Sequence, residues 1–183
     1  MGAPPAVPTR LAGQRVSDSY LGDLADYLAF VGNPPSVSAY RDVEGTIPGG
    51  GVDTLLGLAG EEWDTDGMHS VAGGENSKIT IKTDGIYHVN AFARFLSDSA
   101  GFRRLTIRQN ADGSPTGGSF LSSDTRDASP SQITTLSVIF DKHFSTDDVI
   151  QMFVAQNSGG SLGVDPGIRK VGLQVRWVGT GTE

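Results

Sequence analysis

Alternation of apolar and polar residues with period two is the feature that most restricts how this 183-residue chain can fold. It is strict in residues 171–178, where Val171, Leu173, Val175 and Trp177 fall on one side and Gln174 and Arg176 on the other. It recurs in residues 78–82 and again in 86–96, where Tyr87, Val89, Ala91, Ala93 and Phe95 share a face. Successive side chains of a strand point to opposite faces, so this pattern predicts strands with one face buried. Shorter apolar runs predict further strands at 104–108, 133–140 and 149–156. The separators are turn chemistry: Asp84-Gly85, Asp112-Gly113, Thr146-Asp147-Asp148 and a Gly-rich loop over 157–168. Residues 114–130, rich in Gly, Ser and Asp, read as a long loop with one short strand around Phe120. Many strands and few helical periods predict an all-β antiparallel sandwich or jelly roll.

The first 35 residues follow a different rule. Residues 1–13 are rich in Pro, Ala and Gly and predict an extended arm. Residues 17–31 predict one short amphipathic helix, capped by Ser17 or Asp18 and ended by Gly32-Asn33-Pro34-Pro35. Leu21, Leu24, Leu28 and Val31 recur at spacings of three and four, and Tyr20, Tyr27 and Phe30 widen the face. An isolated helix of this length is marginal in water, so its apolar face needs a surface to rest on. The chain therefore divides into an N-terminal arm and helix, 1–35, and a β domain, 36–183.

Two strands carry more apolar residues than a sandwich needs. In 149–154, Ile150 and Met152 lie on one face and Phe153 on the other. The second face of 86–96 mixes Ile86, Phe92 and Leu96 with His88 and Arg94. Apolar residues on both faces suggest a second covered surface, supplied by a partner or by the chain's own loops and helix. Symmetric self-association is the favoured form of the partner reading.

Composition removes several function classes. Lys and Arg total 14 against 21 Asp and Glu, a formal net charge of −7, which argues against a nucleic-acid partner. The absence of cysteine excludes disulfides, thiolate metal sites and cysteine nucleophiles. No apolar run has the length of a membrane span, and the first residues lack the pattern of a cleavable export signal, so no membrane role is expected.

Chemistry-bearing clusters are few. Asp64-Thr65-Asp66-Gly67, close to His69, gathers carboxylates as calcium loops do. Asp64 and Asp66 could hold an interfacial Ca²⁺ with help from Asp147, Asp148 or Asp165, but an Asp-rich turn accounts for the same residues. The EF-hand spacing is absent. His69, His88 and His143 are scattered without zinc spacing, and there is no nucleophile elbow around any serine. Glu61 and Glu62 are adjacent and would point to opposite faces of a strand, which disfavours a catalytic pair. No catalytic, cofactor or resident metal site is expected. Arg104 and Arg108 share a strand face; they suit ion pairs across a subunit contact or an anionic glycan.

Taken as a set, several segments carry a resemblance. They are Asp64-Thr65-Asp66-Gly67-Met68-His69, Gly85-Ile86-Tyr87-His88-Val89, residues 101–110, Phe144-Ser145-Thr146-Asp147-Asp148-Val149-Ile150, residues 156–162 and the strand 173–177. Residues 78–178 resemble the C1q/TNF-like jelly roll in the version found in bacteriophage structural proteins. Residues 8–15 are similar to the leader of small minor tail or capsid-associated proteins. Thr146-Asp147 stands where the family usually shows Gly-Asp, and 111–130 is an insertion. The resemblance implies a non-enzymatic virion protein, made in the host cytoplasm and placed on the capsid or tail surface. It also implies a homotrimer, for which His88, Phe92, Arg104, Arg108, Ile150 and Met152 are the expected contact residues. Leu21, Leu24, Tyr27, Leu28 and Val31 would then dock the N-terminal segment on the major capsid protein or another virion protein. A host surface glycan bound by the loops 111–130 and 157–168 is the alternative.

Overall fold

A computed structural model describes residues 3–9, 16–165 and 171–181. Helix α1 (Asp18–Gly32) comes first. Twelve strands follow: β1 (Ser36–Arg41), β2 (Gly45–Ile47), β3 (Thr54–Leu55), β4 (Gly60–Asp64), β5 (Ile79–Thr80), β6 (Gly85–Phe95), β7 (Phe102–Gln109), β8 (Ser119–Asp127), β9 (Thr134–Phe144), β10 (Val149–Gln156), β11 (Leu162–Val164) and β12 (Val171–Gly179). They form two antiparallel sheets. The longer runs β2-β11-β6-β12-β1-β4, with β9 on the other side of β6; the shorter runs β3-β10-β7-β8, with β5 also on β10.

The core lies between the sheets and is built by the alternation seen in the sequence. From the long sheet, Tyr87, Val89, Ala91, Ala93 and Phe95 of β6 and Val171, Leu173 and Val175 of β12 turn inward, each at most 1% exposed. From the short sheet come Leu105 and Ile107 of β7 with Ile150, Met152 and Val154 of β10. One charged side chain is also fully enclosed. Arg103 donates from Nη1 to the Ala100 and Phe102 carbonyls and from Nη2 to that of Asp98, tying the β6–β7 connection to the sheet.

Three expectations change here. First, β8 is a nine-residue strand where the sequence reads as mostly loop. It is an edge strand whose residues are exposed or half-exposed, so no hydrophobic alternation marks it. Second, β11 lies inside the stretch read as the 157–168 loop, whose last residues fall outside the described ones. Third, the second apolar face of β10 needs no partner: Phe153 is 0% exposed within the single chain. The segments 51–53 and 113–117 fold over that side, where the Gly113 amide donates to Gln151 Oε1 at 3.0 Å. Arg104 bonds Asp53 and the Gly51 carbonyl there, and Arg108 bonds the Gly117 carbonyl.

Helix α1 is capped as the sequence predicts, Ser17 Oγ accepting from the Tyr20 amide at 3.2 Å. None of its residues is buried. It touches the sandwich through Phe30, whose ring meets Trp177 edge-on at 4.9 Å between centroids. Leu21, Leu28 and Val31 remain 52%, 58% and 50% exposed.

Candidate functional site

The outward face of the long sheet and the helix lying beside it enclose an open cleft lined mainly by polar residues. Its composition follows from strand register. In an antiparallel ladder directly opposed residues share a face, and the pairings set up two adjacent rows. One row reads Ile139, Asn90, Gln174, Ser38, Trp63 across β9, β6, β12, β1 and β4. The next reads Asp141, His88, Arg176, Ser36. A bulge between Ser38 and Ala39 lets Glu62 slip out of the ladder and accept a hydrogen bond from Ser38 Oγ at 3.2 Å. Ser38 in turn accepts from Gln174 Nε2 at 3.2 Å. His88 Nδ1 and Asp141 Oδ1 are 2.6 Å apart in an exposed cross-strand hydrogen bond.

Between this face and the exit of α1 lies a cleft of about 520 Å³, its lining including Asn33, Trp63, His88, Asn90, Gln174 and Arg176. That volume is within the range of small-molecule sites, roughly 300–1,000 Å³. A second groove, lined by Pro5, Ala29, Phe30, Pro35 and Asp66, separates the N-terminal arm and α1 from the turn after β4.

The expected site residues do not all come together. His88 and Phe92 stand on the outward face of the long sheet, His88 exposed and Phe92 half-buried. Arg104 and Arg108 stand on the opposite outer face, and their partners come from the same chain rather than from another subunit. Arg104 pairs with Asp53 at 2.8 Å and lies over the Phe102 ring. Ile150 and Met152 are inside the protomer's own core, 0% and 1% exposed, and offer no surface to a second copy. The inward face of β10 explains this: both side chains point between the sheets. Of the helix residues, Leu24 and Tyr27 are half-buried while Leu21, Leu28 and Val31 face outward.

The acidic turn is committed to holding backbone. Asp64 Oδ1 accepts from the Asp66 amide at 3.0 Å and Oδ2 from the His69 amide at 2.8 Å; Asp66 Oδ2 accepts from the Thr83 hydroxyl at 3.0 Å. Among the described residues no group of three or more His, Asp or Glu side chains is placed to hold a metal ion. Glu61 and Glu62 diverge, one to His69 and the other to Ser38. Below the turn, burial pushes the Tyr87 hydroxyl far above its ordinary range, with the charges of Asp66 and Asp84 adding to it, while its bond to the Thr83 carbonyl pulls the other way.

Sequence reasoning missed Trp63, Asn90, Gln174 and Arg176 as one surface. The alternation around Asn90, Gln174 and Arg176 was visible and that around Trp63 was not, and the pairing that aligns four strands into a row is not written in any single strand.

No family profile and no curated protein sequence matches the chain. Solved structures do. The globular domain of zebrafish complement 1qA protein aligns with a TM-score of 0.55 at 12% identity, covering 79% of this chain and 97% of that one. Murine APRIL aligns at 0.58 and 10% identity, covering 79% and 98%. Eiger TNF from S. frugiperda aligns at 0.55 and 9% identity, covering 81% and 94%. This is the C1q/TNF jelly-roll fold. At such identity the C1q/TNF likeness concerns architecture, and it spans nearly the whole of those domains. Among the described residues, no helix is long and apolar enough to cross a membrane.

Proposed function

We propose that the chain is a non-enzymatic structural protein of a bacteriophage particle. It is a homotrimer whose N-terminal segment anchors to the capsid or tail surface while the C1q/TNF jelly roll projects outward. The observation that carries this reading is α1: a formed, capped helix with no buried residue and with Leu21, Leu28 and Val31 about half exposed. The sandwich covers only its Phe30 side, so the remaining apolar stripe is available to the major capsid protein or another virion protein. The resemblance of residues 8–15 to phage leaders, most of them outside the described residues, supports the particle. Self-association is supported by Ile139, 61% exposed, and half-buried Phe92 on the β9 side of the long sheet. A threefold contact is heterologous, joining two different surfaces of the protomer, so a second patch on another face completes it.

Light scattering on the full chain tests the assembly. A mass near 58 kDa, three times 19.2 kDa, is expected; a monomer overturns the trimer. Leu21→Asp with Leu28→Asp should leave that mass unchanged and remove the protein from purified particles. Retention of the double variant on particles overturns the docking role of α1.

A further inference from the structure

The cleft beside α1 holds side chains with unused hydrogen-bonding capacity. Among the described residues, the Asn90 amide and the Arg176 guanidinium make no hydrogen bond or ion pair, and the Gln174 amide uses only Nε2, on Ser38. Trp63 is 45% exposed and its indole N–H is unengaged. His88 keeps Nε2 free while Nδ1 faces Asp141. In most protein surfaces such groups point apart; here register collects them. Asn90, Gln174, Ser38 and Trp63 are consecutive across four strands, and Arg176 and His88 are opposed in the next row. Opposed residues stand about 5 Å apart, so planar amides and a planar cation are presented at a pitch comparable with the width of a pyranose ring.

We infer that this cleft binds a saccharide carrying a carboxylate. The Trp63 ring offers an apolar, flat surface to the C–H face of a sugar. Asn90 and Gln174 provide both donors and acceptors for hydroxyls, which are themselves both. Arg176, with its two-pronged donor set, takes the carboxylate. The lining disfavours other occupants. A peptide helix or strand would need apolar pockets, whereas the apolar side chains this face brings to the cleft are Pro34 and Trp63, Val37 and Val175 being turned into the core. A nucleic-acid backbone would need several cations in a chain of net charge −7, and the cleft supplies one unpaired arginine. The site differs from the loops 111–130 and 157–168: it is on the sheet face, where rigid strands hold the geometry. It also leaves the Phe92 and Ile139 half of the face to self-contact.

The test uses the full chain labelled with ¹⁵N, titrated with 3′-sialyllactose, galacturonic acid and, as the neutral comparison, lactose. Either acidic sugar should shift the Trp63 indole and the Asn90 and Gln174 side-chain amides saturably, with lactose weaker by on the order of tenfold. Arg176→Gln should erase the preference for the acid, and Trp63→Ala should weaken acidic and neutral sugars alike by a similar factor; both positions are exposed, and the ¹⁵N spectrum reports that the variants are folded. Absence of saturable shifts with both acidic sugars overturns the site. So do shifts confined to residues outside the cleft, or affinities indifferent to both substitutions. Light scattering on the same samples separates this from the assembly: a trimer that ignores the sugars leaves the trimer standing, and a monomer that binds them does the reverse.

Discussion

At the residue scale, two side chains carry more of the structure than their number suggests. Arg103 is charged, 0% exposed and bonded to three backbone carbonyls at the β6–β7 connection. Burial lowers its pKa while Asp98 opposes the shift, and the guanidinium still serves three part-buried carbonyl oxygens. Arg103→Met fills the space and leaves those carbonyls unpaired, so it should cost about 3 kcal/mol in denaturant unfolding. Arg103→Lys should recover only part of that, because a point charge cannot reach three acceptors in the same geometry. Asp148 works at the opposite end. Burial alone would raise its carboxyl, but hydrogen bonds from Asn110, Gln109 and the Ser145 amide, with the charge of Lys142, hold it below its ordinary 3.8. A carboxylate with a depressed folded pKa adds stability that is complete above the unfolded value and is lost as pH falls from there through the folded one. The stability gap between the wild type and Asp148→Asn should therefore be widest at neutral pH and close below 3.8, read from urea midpoints across that range. A gap that stays constant with pH would mean that the hydrogen bonds do not depend on the charge.

At the element scale, legibility followed the burial of a single face. Strand β6 could be drawn from its sequence because its odd-numbered residues are sealed in the core and its even-numbered ones are not. Helix α1 was legible for a related reason: Ser17 and Asn33 bracket a face of period 3.6, and both act as caps. Strand β8 was legible only around Phe120, since beyond Phe120 and Leu121 the run Ser119–Asp127 is hydrophilic and finds its strand partner in the ladder that β7 supplies. Strand β10 misled in the other direction. Its two apolar faces signal two covered surfaces, correctly, but a sequence does not say whether loop or neighbour does the covering. Here Asp53 and Gly113, far apart along the chain, arrive on it together. The exposed face of α1 gives the prediction at this scale. A chain beginning at Asn33, which keeps the Pro34 and Pro35 carbonyls that accept from Thr65 and Trp177, should keep the cooperative unfolding of the full chain, its midpoint changed by only a few degrees, because the helix contributes an edge-on aromatic contact and no buried side chain. Phe30→Ala in the full chain should free Trp177 from that contact and shift its fluorescence without unfolding the sandwich. Collapse of either variant would place the helix in the core's cooperative unit.

At the scale of the whole molecule, the two outer faces of the sandwich have been treated differently. The short sheet's is roofed by its own loops, with Phe153 and Thr106 closed off. The long sheet's carries an apolar half around Phe92 and Ile139 and a polar half around Trp63 and Arg176. If copies associate through the apolar half, unfolding is linked to assembly, and the apparent melting temperature should rise with protein concentration; a monomer would melt at one temperature at all concentrations. On the open face, His88, Asn90, Gln174 and Arg176 were visible in the sequence as the polar partners of alternating strands, whereas Ser38 and Trp63 were not, because β1 and β4 carry no alternation of burial. Their convergence was not, since it depends on which strands are neighbours and on the bulge at Ser38/Ala39.

The near-absence of contacts between α1 and the sandwich also has a consequence for how such a protein changes over generations. Substitutions in Asp18–Gly32 are largely uncoupled from the stability of the β domain. Selection can therefore rewrite the helix while the β domain drifts under separate rules. One helix could be exchanged for another without asking the jelly roll to refold, and the same domain could be joined to a new N-terminal segment.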